Sequence, residues 1–273
     1  MTEHAVIFAI AHSLVGVLTE AEIDVDPVRP AIVFLNAGIL HRVGPNRLHV
    51  RIARELARRG FASLRFDVSG VGDSPPRTDG LSLRAAALSD IREALDFVAA
   101  KLGAATFILI GLCSGADLAF RAALADPRIV GAVLIDGLPY HTVRSRFHNY
   151  ASRLIRRGGW RRLLALDGPV GRRLLWWRQP SRSATATGRR DVPPRHEAES
   201  NLRQLTERGV RLLLLYTPDR DYSYPRHFAD TFPGVRSDRV DVAYFPDSDH
   251  TFTLRANQDL LVRAIDKWIS CFR

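Results

Sequence analysis

The first part of the chain alternates short apolar runs with longer amphipathic segments. PAIVFLNAG (30–38) predicts a buried strand that runs into a loop of small residues, and RLHVRIARELARRG (47–60) predicts a helix with one apolar stripe. FASLRFD (61–67) predicts the next strand, and SLRAAALSDIREALDFVAAKLG (82–103) predicts a long helix capped by Ser82. This rhythm of strand and helix is typical of an α/β domain with a mostly parallel sheet.

Four further segments extend the pattern. AVIFAI (5–10) and LVGVLTEA (14–21) predict two short strands that pair as an antiparallel hairpin. FILIGLCSGADLAF (107–120) predicts a strand, a turn bracketed by glycines and the start of a helix, and RIVGAVLID (128–136) predicts another buried strand.

The pattern changes between about residues 139 and 208, where no segment has the character of a strand and arginine-rich amphipathic helices are predicted. The earlier rhythm returns with VRLLLLYTPDRD (210–221) and RVDVAYFPDSDH (239–250), followed by a C-terminal amphipathic helix. We therefore predict an α/β core made of residues 1–138 and 209–273, with residues 139–208 inserted as a helical lid.

The positive charge of the chain is concentrated in this insertion. The formal net charge is +10, yet Asp167 and Asp191 are the only acidic residues between His141 and His196. Such a surface attracts phosphates, acidic carrier proteins or an anionic membrane. Nucleic acid is not an expected partner, because no zinc-ligand spacing, RNA-binding motif or glycine-rich phosphate loop is present.

The cysteine content and the start of the chain predict a cytoplasmic protein. Cys113 and Cys271 lie far apart in different contexts, which does not indicate a disulfide framework. The N-terminus lacks the pattern of a signal peptide, and no apolar stretch is long enough to span a bilayer.

The turn Gly111-Leu112-Cys113-Ser114-Gly115 carries the first sign of chemistry. A nucleophile between a strand and a helix sits in a strained turn, and the residues two before and two after it must be small. Cys113 occupies that position, and the helix N-terminus after it favours a thiolate. Two alternatives stay open: Cys113 is a small buried apolar residue, or Ser114 is the nucleophile, although Leu112 fits poorly at the small position that this requires.

A cysteine nucleophile needs a base and an orienting carboxylate. His250 lies in a loop after the last apolar strand, and Asp221 follows the strand before it. Asp219 is the alternative acid, and Asp221 is preferred because Pro225 follows it at a spacing suited to the loop. The chain order of nucleophile, acid and histidine is that of an α/β-hydrolase triad.

An oxyanion hole would need two backbone donors. The N–H of Ser114 is one, and the N–H of about Ile39, in the small-residue loop after the strand at 30–35, is the second. Gly38 allows the backbone to approach a substrate, and His41 is close enough to contact one, although a surface role suits it equally.

Together these residues resemble the α/β-hydrolase superfamily over nearly the whole chain outside the insertion. FDVSGVGDS (66–74) resembles a glycine loop of that superfamily, GLCSGA (111–116) its elbow, and DHTF (249–252) the segment with the catalytic histidine. NAG (36–38) stands where many members have His-Gly. Dienelactone hydrolases and polyhydroxyalkanoate synthases are members with cysteine at the elbow, which implies that a Cys-Asp-His triad can work here.

A closer resemblance is to the exosortase A system-associated hydrolases of bacteria. It rests on the segment HRVGPNRLHVRIARELARRGFASLRFD (41–67), on the Gly-Leu-Cys elbow and on HNYASRLIRRGGWRRLL (148–164). This likeness implies a fold and a triad, and it implies little about a substrate.

The expected activity is acyl transfer from an ester or thioester through a thioester on Cys113, by an esterase, thioesterase or acyltransferase that needs no metal or organic cofactor. Apolar lid residues are expected to line an acyl pocket, among them Trp160, and lid arginines to bind coenzyme A or an acyl carrier protein, or an anionic membrane surface. The alternative is an inactive hydrolase-fold module that binds an acidic partner through its basic lid.

Overall fold

The structure is a computed structural model, and it describes residues 1–9, 12–22, 29–140, 192–218, 224–235 and 238–272. Most of the predicted lid, with Trp160, lies outside these ranges, as do Asp219 and Asp221.

The described residues form one eight-stranded sheet. Its strands are β1 (Glu3–Phe8), β2 (Leu14–Thr19), β3 (Ala31–Leu35), β4 (Ser63–Phe66), β5 (Phe107–Leu112), β6 (Ile129–Ile135), β7 (Arg211–Tyr216) and β8 (Val240–Tyr244). They lie side by side in the order β1-β2-β4-β3-β5-β6-β7-β8.

The sheet is parallel from β4 to β8 and antiparallel at its N-terminal edge. β1 and β2 form the predicted hairpin, with Glu3 opposite Thr19 and Phe8 opposite Leu14, and β2 pairs antiparallel with β4. All the other neighbouring strands run in the same direction. The prediction of a mostly parallel sheet is therefore confirmed.

Helices cover both faces of this sheet. They are α1 (Leu48–Arg58), α2 (Leu83–Leu102), α3 (Ser114–Ala125), α4 (Arg195–Glu207), α5 (His227–Thr231) and α6 (Arg255–Ile269). Apolar residues of α2, α3, α4 and α5 pack on one face, and those of α1 and α6 pack on the other. Because both faces are covered, the central strands are apolar throughout: Ile108 and Ile110 point to one layer and Leu109 to the other.

The ends of α2 illustrate how the sequence sets the element bounds. The Ser82 hydroxyl accepts a hydrogen bond from the Ala85 N–H at 3.3 Å, as expected of an N-cap. Gly103 ends the helix with a left-handed backbone at φ 71°.

Helix α4 falls inside the segment predicted as the lid, yet it packs on the core. Ala198, Leu202 and Leu205 are fully buried and join the apolar layer beside α3. Their spacing places them on one helix face, so the C-terminal part of the predicted insertion serves as a core helix. In the described part of the chain, no helix has both the length and the apolar character needed to cross a bilayer.

Parallel strands bring their carboxyl ends to a single edge of the sheet. Asn36 follows β3, Cys113 follows β5, Asp136 follows β6 and His250 lies in the loop after β8. The fold thus gathers polar and nucleophilic side chains from distant parts of the chain at that edge.

Candidate active site

Cys113 occupies the apex of a tight turn between β5 and α3. Its backbone has φ 58° and ψ −120°, a conformation that L-residues rarely adopt. The N–H of Cys113 donates to the Ile135 carbonyl at 2.8 Å, and its own carbonyl accepts from the N–H of Ala116 at 3.0 Å. Bonds to β6 and to the first turn of α3 thus hold the strained residue in place.

The two glycines that flank Cys113 are required by close backbone contacts. A Cβ at Gly111 would collide with the carbonyl of Gly115, and a Cβ at Gly115 would lie 2.5 Å from the Asn36 carbonyl oxygen. The chain therefore crowds on both sides of Cys113, as expected of a nucleophile elbow.

His250 links Cys113 to a carboxylate. Its Nδ1 lies 2.7 Å from Oδ2 of Asp136, and its ring also hydrogen-bonds the Cys113 side chain. The two bonds, that to Asp136 first, outweigh burial and raise the pKa of His250 to about 9. The imidazole thus carries a proton at neutral pH, with a carboxylate on one side and sulfur on the other.

Asp136 is held firmly for this contact. Its Oδ1 accepts from the Thr217 N–H at 2.8 Å, and its Oδ2 accepts from the Thr217 hydroxyl at 2.7 Å. The Asp136 N–H donates to the Leu215 carbonyl at 2.8 Å, and its backbone is left-handed at φ 49°. Residues at the end of β7 thus fix a carboxylate that comes from the end of β6.

The sequence analysis did not identify Asp136 as the partner of His250. A signal was present, because RIVGAVLID places an acidic side chain directly after the buried strand next to β5. Of the predicted triad, the structure brings Cys113 and His250 together. Asp221 and Asp219 lie outside the described residues, so their role stays a prediction.

The acidic residue before His250 has a different task. Asp249 accepts hydrogen bonds from the N–H and the hydroxyl of both Thr251 and Thr253. Burial raises the pKa of Asp249, but these bonds outweigh it and lower the pKa to about 2. Asp249 therefore shapes the loop that presents the imidazole.

The loop after β3 is closed by the side chain of Asn36. Its amide donates to the Leu40 carbonyl at 2.8 Å and to Oδ1 of Asp67 at 2.9 Å, and its oxygen accepts from the Val68 N–H at 2.9 Å. The Leu40 N–H donates to the Ala37 carbonyl at 3.2 Å and closes a turn over the two residues between them. Asn36 thus fixes the backbone that faces the elbow.

That turn contains the residues predicted to bind the substrate and the oxyanion. Gly38 has φ 63°, and its N–H donates to Oγ of Ser114 at 2.8 Å. Ile39 lies beside it with a side chain that is 89% exposed. The loop therefore contacts the first residue of α3, where an oxyanion hole is expected.

Asp67 anchors the same loop to the segment that resembles a glycine loop. Arg42 donates to it from its backbone N–H and its guanidinium, and the Asp73 N–H donates at 3.2 Å. A Cβ at Gly72 would collide with the Asp67 carboxylate, which accounts for the second glycine in VSGVGDS.

His41 belongs to this ion-paired cluster. Its Nε2 lies 3.2 Å from Asp73 and 2.8 Å from the Arg42 guanidinium. Among the described residues, His41, Asp67 and Asp73 form one of two histidine and carboxylate clusters of metal-ligand type. Arg42 already pairs with both carboxylates, so the donor set fits an arginine better than a metal ion.

Comparison with known proteins places this chain in a fold family. The sequence profile of the alpha/beta hydrolase fold matches residues 30–267. No curated protein matches the chain. Solved structures do match: alpha/beta hydrolase domain-containing protein 10 from mouse is 16% identical, covers 100% of both chains and has a TM-score of 0.55.

Two further solved structures are similar to this chain. An alpha-beta serine hydrolase homologue from Coxiella burnetii is 14% identical, with 97% of this chain and 98% of that chain covered and a TM-score of 0.58. Est1E from Butyrivibrio proteoclasticus, solved with ferulic acid, is 14% identical, with coverages of 97% and 98% and a TM-score of 0.63. The profile match over most of the chain shows that this protein belongs to the α/β-hydrolase fold family.

Proposed function

We propose that this hydrolase-fold enzyme transfers acyl groups from an ester or thioester through a thioester on Cys113. The observation that carries the proposal is the hydrogen-bonded series from the Cys113 sulfur through His250 to Asp136. A nucleophile, a base and an orienting carboxylate in contact are the parts that covalent acyl transfer requires.

The proton on His250 suits a cysteine enzyme. An imidazole with its pKa raised to about 9 is basic enough to hold the proton of a neighbouring thiol, and we propose that Cys113 reacts as a thiolate beside an imidazolium. Cys113 is the N-cap of α3, and the first N–H groups of that helix add positive potential near it, since they have no carbonyl partner within the helix.

Acylation then needs little rearrangement. The thiolate attacks the carbonyl carbon, a carbon–sulfur bond forms, and the carbonyl electron pair moves to oxygen. The N–H groups of Ser114 and Ile39 are proposed to bind that oxyanion. Collapse expels the alcohol or thiol, which takes its proton from His250.

Deacylation reverses the roles of these groups. Water, or an amine, alcohol or thiol acceptor, gives its proton to His250 as it attacks the thioester carbonyl. The tetrahedral intermediate expels the Cys113 thiolate, and the starting ion pair is restored. The reaction is hydrolysis with water and acyl transfer with another acceptor.

We place Asp136 in the role of orienting carboxylate. The sequence favoured Asp221, which lies outside the described residues, whereas Asp136 contacts His250 and is itself held by Thr217. The side chains of His250 and Asp136 are only 15% and 10% exposed, so water screens their interaction weakly.

The acyl donor is proposed to be a thioester carried on coenzyme A or an acyl carrier protein. This rests on the basic character of residues 141–196, which complements phosphate groups and acidic carriers. A peripheral contact with an anionic membrane would use the same charge. The likeness to exosortase A system-associated hydrolases stays a prediction and adds no substrate.

Mass spectrometry tests the proposal directly. The protein is incubated with acetyl-coenzyme A and palmitoyl-coenzyme A, and its intact mass is recorded over time beside the Cys113→Ala and Cys271→Ser variants. We expect an acyl adduct in the wild type and in Cys271→Ser. An adduct that survives Cys113→Ala would identify another nucleophile, and no adduct with either thioester or with p-nitrophenyl acetate would favour the non-catalytic binding module.

A further inference from the structure

The side chain of Ser114 makes a contact that a capping or surface serine does not need. Its Oγ accepts a hydrogen bond from the Gly38 N–H at 2.8 Å, across 76 positions of the chain. Ser114 directly follows Cys113 and is the first residue of α3. The bond therefore joins the loop after β3 to the elbow at the point where an oxyanion would form.

This contact determines whether the Ser114 hydroxyl acts as a hydrogen-bond donor or acceptor. A serine hydroxyl can accept hydrogen bonds through its lone pairs and can donate one through its own proton. Because Gly38 supplies the donor, Oγ acts as the acceptor and its proton remains available. The Gly38 N–H, in turn, is committed to Oγ and does not reach a substrate oxygen directly.

We propose that the Ser114 hydroxyl is a catalytic donor to the oxyanion, in addition to the two backbone N–H groups. This inference rests on the proposed function of Cys113. The Gly38 N–H polarises the hydroxyl, and the hydroxyl donates to the carbonyl oxygen as negative charge develops there. Hydrogen bonds in such a chain strengthen one another, and each gains when the final acceptor is charged.

The geometry also separates this role from that of a nucleophile. Ser114 Oγ is turned to Gly38, while His250 contacts the sulfur of the preceding residue. The serine in the elbow thus assists the attack by cysteine. A purely structural tie between the two loops is the competing role, and it requires the hydroxyl only as an acceptor.

Threonine and valine at position 114 make a matched pair, because they have the same shape and differ only in the hydroxyl. Ser114→Ala removes the group without adding bulk. For each variant, the rate of acylation of Cys113 by p-nitrophenyl acetate is measured in a single turnover. The rate of alkylation by iodoacetamide is measured in parallel, since that displacement forms no oxyanion and reports only on the thiolate.

Loss of one oxyanion donor costs about 10²–10³-fold in rate. We expect Ser114→Ala and Ser114→Val to acylate about 10²-fold more slowly than wild type, with alkylation changed by less than about twofold. Ser114→Thr should recover most of the acylation rate. If Ser114→Ala fails to fold, the threonine and valine pair supplies the same comparison of acylation with alkylation.

Two results would overturn the inference. One is acylation by Ser114→Val at the rate of Ser114→Thr, which would make the hydroxyl irrelevant. The other is a parallel fall of acylation and alkylation in Ser114→Ala, which would mean that the side chain only supports the elbow. Failure of the proposed function looks different, because the wild type itself would then form no adduct that depends on Cys113.

Discussion

Replacing Asp136 by asparagine tests the arrangement that sets the chemistry of His250. Asparagine has nearly the same shape and tolerates the left-handed backbone at φ 49°, so the variant should fold. The Thr217 N–H requires an acceptor at the position of Oδ1, and this fixes the amide oxygen there. The amide NH₂ then lies where Oδ2 contacts His250 Nδ1, and it donates to that nitrogen.

The consequence is both a lost charge and a wrong tautomer. With Nδ1 as an acceptor, neutral His250 carries its proton on Nε2 and cannot take one from Cys113. The rise of the His250 pKa from 6.5 to about 9 corresponds to about 3 kcal/mol at 1.36 kcal/mol per unit, and the bond to Asp136 is its largest cause. The pKa should therefore return most of the way to 6.5, and acylation should slow by about 10²–10⁴-fold.

Two measurements check this expectation. Titration of the His250 ring by NMR follows the pKa, and single-turnover acylation with p-nitrophenyl acetate follows the rate. Asp221→Asn and Asp219→Asn are the matched controls, since both replace an acid that the sequence favoured. An Asp136→Asn variant within about tenfold of wild type, beside an Asp221→Asn variant that loses more than about 10²-fold, would refute the role given to Asp136.

Three further outcomes follow from other contacts. Iodoacetamide at neutral pH should label Cys113 much faster than Cys271, whose pKa burial raises, and His250→Ala should slow the labelling of Cys113 as followed by mass spectrometry. Burial lowers the pKa of His49 from 6.5 to about 4. The free energy of unfolding should therefore fall by about 3 kcal/mol as the pH drops from about 7 to below 4. Urea unfolding at several pH values should show a smaller fall in the free energy of unfolding for His49→Phe. Asn36→Ala leaves buried partners unsatisfied, so its free energy of unfolding should fall by about 1–3 kcal/mol, seen as a lower midpoint of urea unfolding.

Each of these has a result that contradicts it. Equal labelling of the two cysteines would remove the case for a thiolate at Cys113. An identical pH dependence for wild type and His49→Phe would mean that His49 does not resist protonation in the folded state. An unchanged midpoint for Asn36→Ala would mean that its hydrogen bonds are replaced by water.

The sequence was informative wherever a local pattern decides the structure. The elbow could be located because the two glycines around Cys113 and the strand before it leave few other conformations, and the hairpin of β1 and β2 follows from two short apolar runs. Both depend on neighbours in the chain, which a single sequence displays directly.

The orienting carboxylate depends on the packing of neighbouring strands instead. β6 and β7 end at the same edge of the sheet, and each is followed by an acidic residue, Asp136 after one and Asp219 after the other. Spacing alone does not say which side chain reaches His250 Nδ1. Helix α4 was not predicted as a core helix for a similar reason. The polar residues around it resemble those of the predicted lid, although Ala198 and Leu202 face the core.

The left-handed backbones of Cys113 and Asp136 lower the stability of the folded state. A residue forced into a sparsely populated conformation costs about 1–3 kcal/mol, and glycine in the same place relieves that cost. Selection for thermal resistance alone would therefore favour glycine at Cys113 and would yield a more stable, inert protein, whereas glycine at Asp136 would also remove the hydrogen bonds with Thr217 and His250. Any improved variant of this enzyme must be screened for turnover at every round, with its stabilising substitutions placed well away from the two strained turns.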